Sequence, residues 1–240
     1  MAALQMILQW LLAVTVAMQW AAPSSMAMIK SNALVAAWQL EGNATDSSGN
    51  SNTGTVNSAT LATGKFGQCY QFNGSSADIT VPYSSSIALG GGDMTIAAWV
   101  YPDVVSASYN TLYDNSGRYY SFFIYDSGGG AGQGYVEFGG TQASGWIAIS
   151  PAVTAGSWQH LVVMRKSNVA YVYRNGVQAG SLSRTLTSNL PSATSVVIGG
   201  NPSGGGVRWQ GKIDEFRIYN RALTDAEIRQ LMLGFEPGEY

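Results

Sequence analysis

The segment W209-Q-G-K-I-D-E-F-R-I-Y-N-R-A-L-T-D-A-E-I228 decides the fold. Ile213, Phe216, Ile218 and Tyr219 set β-formers around the charged Asp214, Glu215 and Arg217, which predicts a strand over 211–219 whose two faces meet different environments. A short helix is expected next. Thr224 stands as N-cap and Glu227, three residues on, reaches back to it, a capping box ahead of the apolar Ile228, Leu231, Met232 and Leu233.

Composition agrees with a chain made of strands. The 240 residues include 29 Gly and 13 Tyr, with Ser, Thr and Asn frequent, as suits many short strands joined by tight turns. Strands are expected at 34–40, 67–72, 78–81, 94–101, 109–113, 119–125, 135–138, 146–149, 158–165, 169–173, 196–198 and 211–219. Ser167-Asn168 and Asn175-Gly176 punctuate three of them into an antiparallel meander. No repeat of 20 to 50 residues recurs, which argues against propellers and solenoids and for a two-sheet all-β jelly roll.

Charge and cysteine usage narrow the function. Only 11% of residues are charged and the net charge is −2, with Lys and Arg scattered, so nucleic acid is not expected as a partner. Cys69 is the sole cysteine and, within F66-G-Q-C-Y-Q-F72, reads as a small buried hydrophobe.

Residues 1–22 carry no charge and are long enough as a helix, at about 33 Å, to cross a bilayer. Three readings stand: a cleaved signal peptide ending near Ser25-Met26-Ala27, a retained membrane anchor, or a helix packed into capsid or other assembly subunits. The missing basic n-region and the clustering of Gln5, Gln9, Thr15 and Gln19 on one arc favour retention. Residues 23–33 form a linker, and the jelly-roll domain with its short C-terminal helix is expected over 34–240.

The ordered blocks L34-V-A-A-W-Q-L, D46-S-S-G-N-S-N-T-G-T, G64-K-F-G-Q-C-Y-Q-F-N-G, M94-T-I-A-A-W-V-Y-P, W158-Q-H-L-V-V, V172-Y-R-N-G and G211-K-I-D-E-F-R-I-Y-N-R-A-L-T resemble the laminin G-like, concanavalin A-like lectin/glucanase jelly-roll family. The resemblance implies two antiparallel sheets with the first and last strands side by side, which would set the N-terminal extension beside the C-terminal helix. It also implies a structural Ca²⁺ shared by Asp46 and Asp214. The loop 41–54, rich in oxygen donors at Asp46, Asn50 and Asn52, suits that hard cation. The competing expectation is an Asx-turn at Asp46 and a surface ion pair of Asp214 with Lys212 or Arg217.

Catalytic constellations are sparse. Glu137 stands alone in its strand, and alternation sets Asp214 and Glu215 on opposite faces, so no carboxylate pair flanks a glycosidic bond. His160, the only histidine, lacks an orienting acid in its motif, and G199-G-N-P-S-G-G-G precedes no helix. Sugar recognition would use exposed aromatics, for which Tyr109, Tyr113, Tyr119, Tyr120, Trp146 and Trp209 are the candidates, while Trp38, Trp99 and Trp158 are expected in the core.

The expectation is therefore a non-enzymatic module on a cell surface or virion exterior that binds a glycan or a surface protein, tethered by its N-terminal helix to a membrane or to assembly subunits. A structural virion or envelope decoration protein is the alternative, and a glycoside hydrolase the third. Homo-oligomerisation is left open.

Overall fold

The computed structural model describes residues 33–105, 110–115, 121–126, 134–138, 146–148, 153–182, 195–200 and 208–237. The helix expected over residues 1–22, and with it the anchor, assembly and signal-peptide readings, lies outside the described residues. Among the described residues no helix is long and apolar enough to cross a membrane.

In chain order the strands are β1 (Leu34–Trp38), β2 (Thr55–Asn57), β3 (Thr60–Thr63), β4 (Gln68–Asn73), β5 (Asp78–Pro82), β6 (Met94–Pro102), β7 (Asn110–Asn115) and β8 (Ser121–Asp126). They continue with β9 (Gly134–Phe138), β10 (Trp146–Ala148), β11 (Gln159–Lys166), β12 (Val169–Arg174), β13 (Val177–Leu182), β14 (Ser195–Ile198) and β15 (Gln210–Tyr219). An eight-stranded sheet has the order β13-β12-β11-β6-β15-β4-β3, with β1 also paired to β15. A seven-stranded sheet runs β10-β9-β8-β7-β14-β5-β2. All the pairings are antiparallel, and the first strand does lie on the last, Leu34 opposite Tyr219 and Trp38 opposite Phe216. This is the two-sheet jelly roll expected from the alternating pattern.

Alternation builds the core. On β6, Ile96, Ala98 and Val100 point inward with Leu161 and Val163 of β11 and Ile213, Phe216 and Ile218 of β15. Trp38 is fully buried, 5.9 Å from the Phe216 ring, and its indole N–H donates to Asn52 O at 2.8 Å. Truncating such a side chain costs about 3–5 kcal/mol.

The outer face of the larger sheet carries a second, smaller core. Helix α1 (Asp225–Met232) lays Ile228 and Leu231 on Ala97, Val162, Met164, Tyr173 and Tyr219. Its capping box forms as expected: Glu227 N donates to Thr224 Oγ1 at 3.3 Å, and Thr224 N donates to Glu227 Oε2 at 2.8 Å. Arg221 clamps the same Glu227 with bonds of 2.9 and 2.6 Å, which together with the cap holds that carboxyl down at about 2.

Strict alternation fails within β15. Opposite β6 the register shifts between Asp214 and Arg217, and Glu215 takes a positive φ of 52°. The bulge turns Phe216 into the core and leaves Glu215 beside Arg217, 2.6 Å from its guanidinium. Asp214 and Glu215 thus share the outer face rather than opposing ones, because the extra residue absorbs one step of the pleat.

Candidate functional site

The loop 41–54 folds back on β1. Asp46 Oδ1 accepts from Ala37 N at 3.0 Å and Ser48 N at 2.8 Å, the latter closing an Asx-turn. Its Oδ2 accepts from Asn52 N and Ser48 Oγ, both at 2.8 Å. Asn50 and Asn52 aim amide nitrogens, not oxygens, at Val35 O, each at 2.9 Å. Four donors fill the lone pairs of Asp46, so its carboxylate serves as the internal anchor of the loop.

Asp214 does a parallel task from within β15. It is fully buried, and its Oδ2 accepts from Lys65 N at 2.8 Å and Phe66 N at 3.0 Å. Burial pushes its carboxyl up to about 7, with Glu215 adding to the rise and the backbone amides opposing it. No ion pair with Lys212 or Arg217 forms; Arg217 is taken by Glu215 and Glu236. The turn it holds needs glycine, since a Cβ on Gly64 would come 2.6 Å from Asp214 Oδ2 and from Gln68 O.

These two carboxylates do not fit a shared Ca²⁺. Each is anchored by a different loop, and the oxygens of Asp46 are saturated by N–H and O–H donors. Among the described residues no group of three or more His, Cys, Asp or Glu side chains gathers into a metal site.

Beside Asp214 on the outer face stand Trp99 and His160, one strand and two strands away in register. Trp99 is covered by the Phe66 ring edge-on at 6.2 Å, by His160 at 5.4 Å and by Lys65 Nζ at 4.5 Å from its centroid. Burial, then Arg217, pushes the His160 imidazole down to about 3, so it is neutral at physiological pH and without an acid to orient it. Asp214 Oδ1, Trp99 Nε1 and His160 Nδ1 are buried without a hydrogen-bond partner. Cys69 is buried as expected, its thiol pushed up to about 11 chiefly by burial.

The next outward residue on β6 is Tyr101, and here the face is open. Tyr101 and Trp158 are both half-buried, their rings 5.7 Å apart at 67°, forming a corner. Lys212, directly across from Tyr101 on β15, places Nζ 5.0 Å from that ring. Gln71, across from Lys212 on β4, donates to the exposed Asp103 at 2.8 Å. Two aromatic faces ringed by an ammonium, an amide and a carboxylate make a surface suited to sugar rings and their hydroxyls.

Of the aromatics picked from the sequence, the structure places Tyr113 and Trp209 in the core, both fully buried. Tyr113 stacks on Phe216 at 6.1 Å, and Trp209 is pinned by backbone bonds to Gly199 and Gly74. Both lie between the sheets, so neither is a platform. Trp146 opens β10 opposite Glu137 of β9; Tyr109, Tyr119 and Tyr120 lie outside the described residues. Trp158 corrects the opposite way: it precedes β11 and keeps a ring half in solvent, while Trp38 and Trp99 are buried as expected. Tyr101 was missed, although its spacing of two from Trp99 already put it on the outer face.

A family model described as the concanavalin A-like lectin/glucanases superfamily matches residues 73–229. Domain 4 of AbnA, an extracellular arabinanase from Geobacillus stearothermophilus solved with arabinotriose, is similar with a TM-score of 0.65 and 23% identity over 83% of this chain and 98% of that one. The binding domain of Paraclostridial Mosquitocidal Protein 1 is similar with a TM-score of 0.66 and 20% identity over 85% of this chain and 52% of that one. A botulinum neurotoxin type C structure, described in connection with cell entry through two ganglioside molecules, has a TM-score of 0.63 and 13% identity over 88% of this chain and 53% of that one. The chain thus spans about half the length of the two toxin structures. At these identities the likeness establishes the fold. Among curated proteins no match was found.

Proposed function

We propose that this chain, which belongs to the concanavalin A-like lectin/glucanase superfamily, is a non-enzymatic module that holds glycans on the outer face of its larger sheet. The observation that carries this reading is the half-buried Tyr101–Trp158 corner, with Lys212, Gln71 and Asp103 around it. Sugar rings present C–H faces to aromatic rings and hydroxyls to amides and carboxylates, and this ledge offers both. The acid and base candidates near it are not free to turn over a substrate: Asp214 is buried on two backbone amides, and His160 is buried and neutral.

The fold supports the reading by analogy, since arabinotriose is the ligand named for the arabinanase domain and gangliosides for the neurotoxin. In this reading the module faces the exterior of a cell or a virus particle, and the uncharged residues 1–22 tether it to a membrane or to shell subunits.

A glycan array probed with the full chain tests it, followed by titration calorimetry on the best ligand. Trp158→Ala should weaken binding by about 1–2 kcal/mol, roughly five- to thirtyfold, while leaving the melting temperature close to that of the parent. Binding that survives Trp158→Ala but is lost in Tyr119→Ala or Tyr120→Ala would move the site to those residues. A blank array from folded protein would overturn the glycan reading.

A further inference from the structure

Two ammonium groups stand over successive outer-face rings of β6. Lys65 Nζ lies 4.5 Å from the Trp99 ring centroid, and Lys212 Nζ lies 5.0 Å from that of Tyr101. Trp99 and Tyr101 are two residues apart on one side of β6, about 7 Å along the strand. Each lysine is held by the quadrupole of a ring, which positions an ammonium without neutralising it. Neither forms an ion pair among the described residues.

None of the carboxylates nearby pairs with Lys65 or Lys212 among the described residues. Asp214 lies buried under the turn that carries Lys65, and its Oδ2 faces the amides of Lys65 and Phe66. Asp103 takes the Gln71 amide, and Glu41 accepts from Gln68 N at 2.9 Å. Glu215 and Glu236 close on Arg217. Two ammonium groups that enter no ion pair among the described residues thus stand beside a half-buried aromatic corner.

We propose that the ledge selects an acidic glycan, whose carboxylate or sulfate group is taken by Lys65 and Lys212 while a sugar ring of the same molecule stacks on Trp158. The inference rests on the glycan-binding reading and adds the charge class of the ligand. A neutral glycan would gain the stacking contact but leave both ammonium groups without a counter-charge.

The test uses the full chain and pairs of probes that differ in the acid alone: sialyllactose against its carboxyl methyl ester, dextran sulfate against dextran, and polygalacturonate against its methyl ester. At least one acidic member should bind about tenfold tighter than its neutral partner at low salt, and the gap should close as salt is raised toward about 0.5 M. The Lys65→Met, Lys212→Met double variant should abolish the acidic member's advantage, so that both members of a pair bind alike, and Lys65→Met alone, at a residue outside the Tyr101–Trp158 corner, should narrow the gap while neutral binding and the melting temperature hold. Lys65→Gln, Lys212→Gln provides the same readout should methionine disturb the rings. Equal affinity for both members of every pair, or a preference that persists in the double variants, overturns the acidic-ligand proposal and leaves the glycan reading standing. Inorganic sulfate, or a DNA oligonucleotide of matched charge, binding as tightly as the acidic glycan would reduce the site to a general anion patch and also overturn it. Folded protein that binds no probe at all removes both readings together.

Discussion

Replacing Asp214 by Asn should flatten the pH dependence of stability between about pH 4 and pH 7. The carboxyl lies fully buried, and in the folded chain it is pushed up from 3.8 to about 7, with burial the largest cause. Between those two values the folded state holds a proton that the unfolded chain has released, so this group's contribution is fully present below pH 4 and is lost as pH rises toward 7. Above pH 7 both states are ionised and the contribution is flat. A rise of roughly three units at 1.36 kcal/mol each corresponds to about 4 kcal/mol across the window. Asparagine keeps an acceptor for the Lys65 and Phe66 amides but never charges, so Asp214→Asn lacks the downward slope. Urea midpoints of both proteins, measured at half-unit steps from pH 4 to pH 8, give the difference directly. Glu227 and the other shifted groups are common to both and cancel in the subtraction. Parallel curves for the two proteins across this window would refute the argument, because they would mean that Asp214 is ionised in the folded chain throughout.

Two further outcomes test the frame around the site. Thr224→Ala removes the side-chain half of the capping box and should cost about 1 kcal/mol, a fall of roughly 2–4 °C in melting temperature measured by circular dichroism. Treatment with EDTA should leave the melting temperature unchanged, since the Asp46 oxygens are filled by four donors; a clear fall, reversed by added Ca²⁺, would show a cation site after all.

What could be read from the sequence was local or periodic. The capping box rests on a spacing of three, and the strand-to-helix passage follows from residues within one short segment. Trp99 and Trp38 were expected to be buried because each lies in a strand motif of the resembled family, and both are, Trp38 between the sheets and Trp99 under the turn on the outer face. The bulge at Glu215 was not, because a positive φ at a non-glycine residue is imposed by the packing of Phe216 inward and by the Arg217 ion pair, neither of which leaves a mark on residue order. Tyr113 and Trp209 read as platforms for a related reason. An aromatic at a strand end faces the core or the solvent depending on a register set by β14, β7 and the chain around Gly199. The Tyr101–Trp158 corner combines β6 with the segment before β11, and Lys212 joins from β15. Three strands that meet only through long-range pairing cannot be assembled by eye from one sequence.

Seen along β6, the outer face is divided by how each residue is covered. Ala97 lies beneath helix α1, Trp99 beneath the Gly64–Gly67 turn and His160, and Tyr101 stands half-buried against the Trp158 ring and the Lys212 side chain. The middle covering explains why a carboxyl is kept in so costly a position. Asp214 binds the two amides at the tip of the turn, and that turn is what brings Lys65 over Trp99. An apolar residue at 214 would leave those amides without an acceptor and Lys65 without a fixed base. Because burial holds the carboxyl up at about 7, at pH 7 it anchors the turn while carrying only part of a full negative charge beneath Lys65. The same burial that makes Asp214 useless as a surface acid thus leaves the ammonium above it available to a ligand.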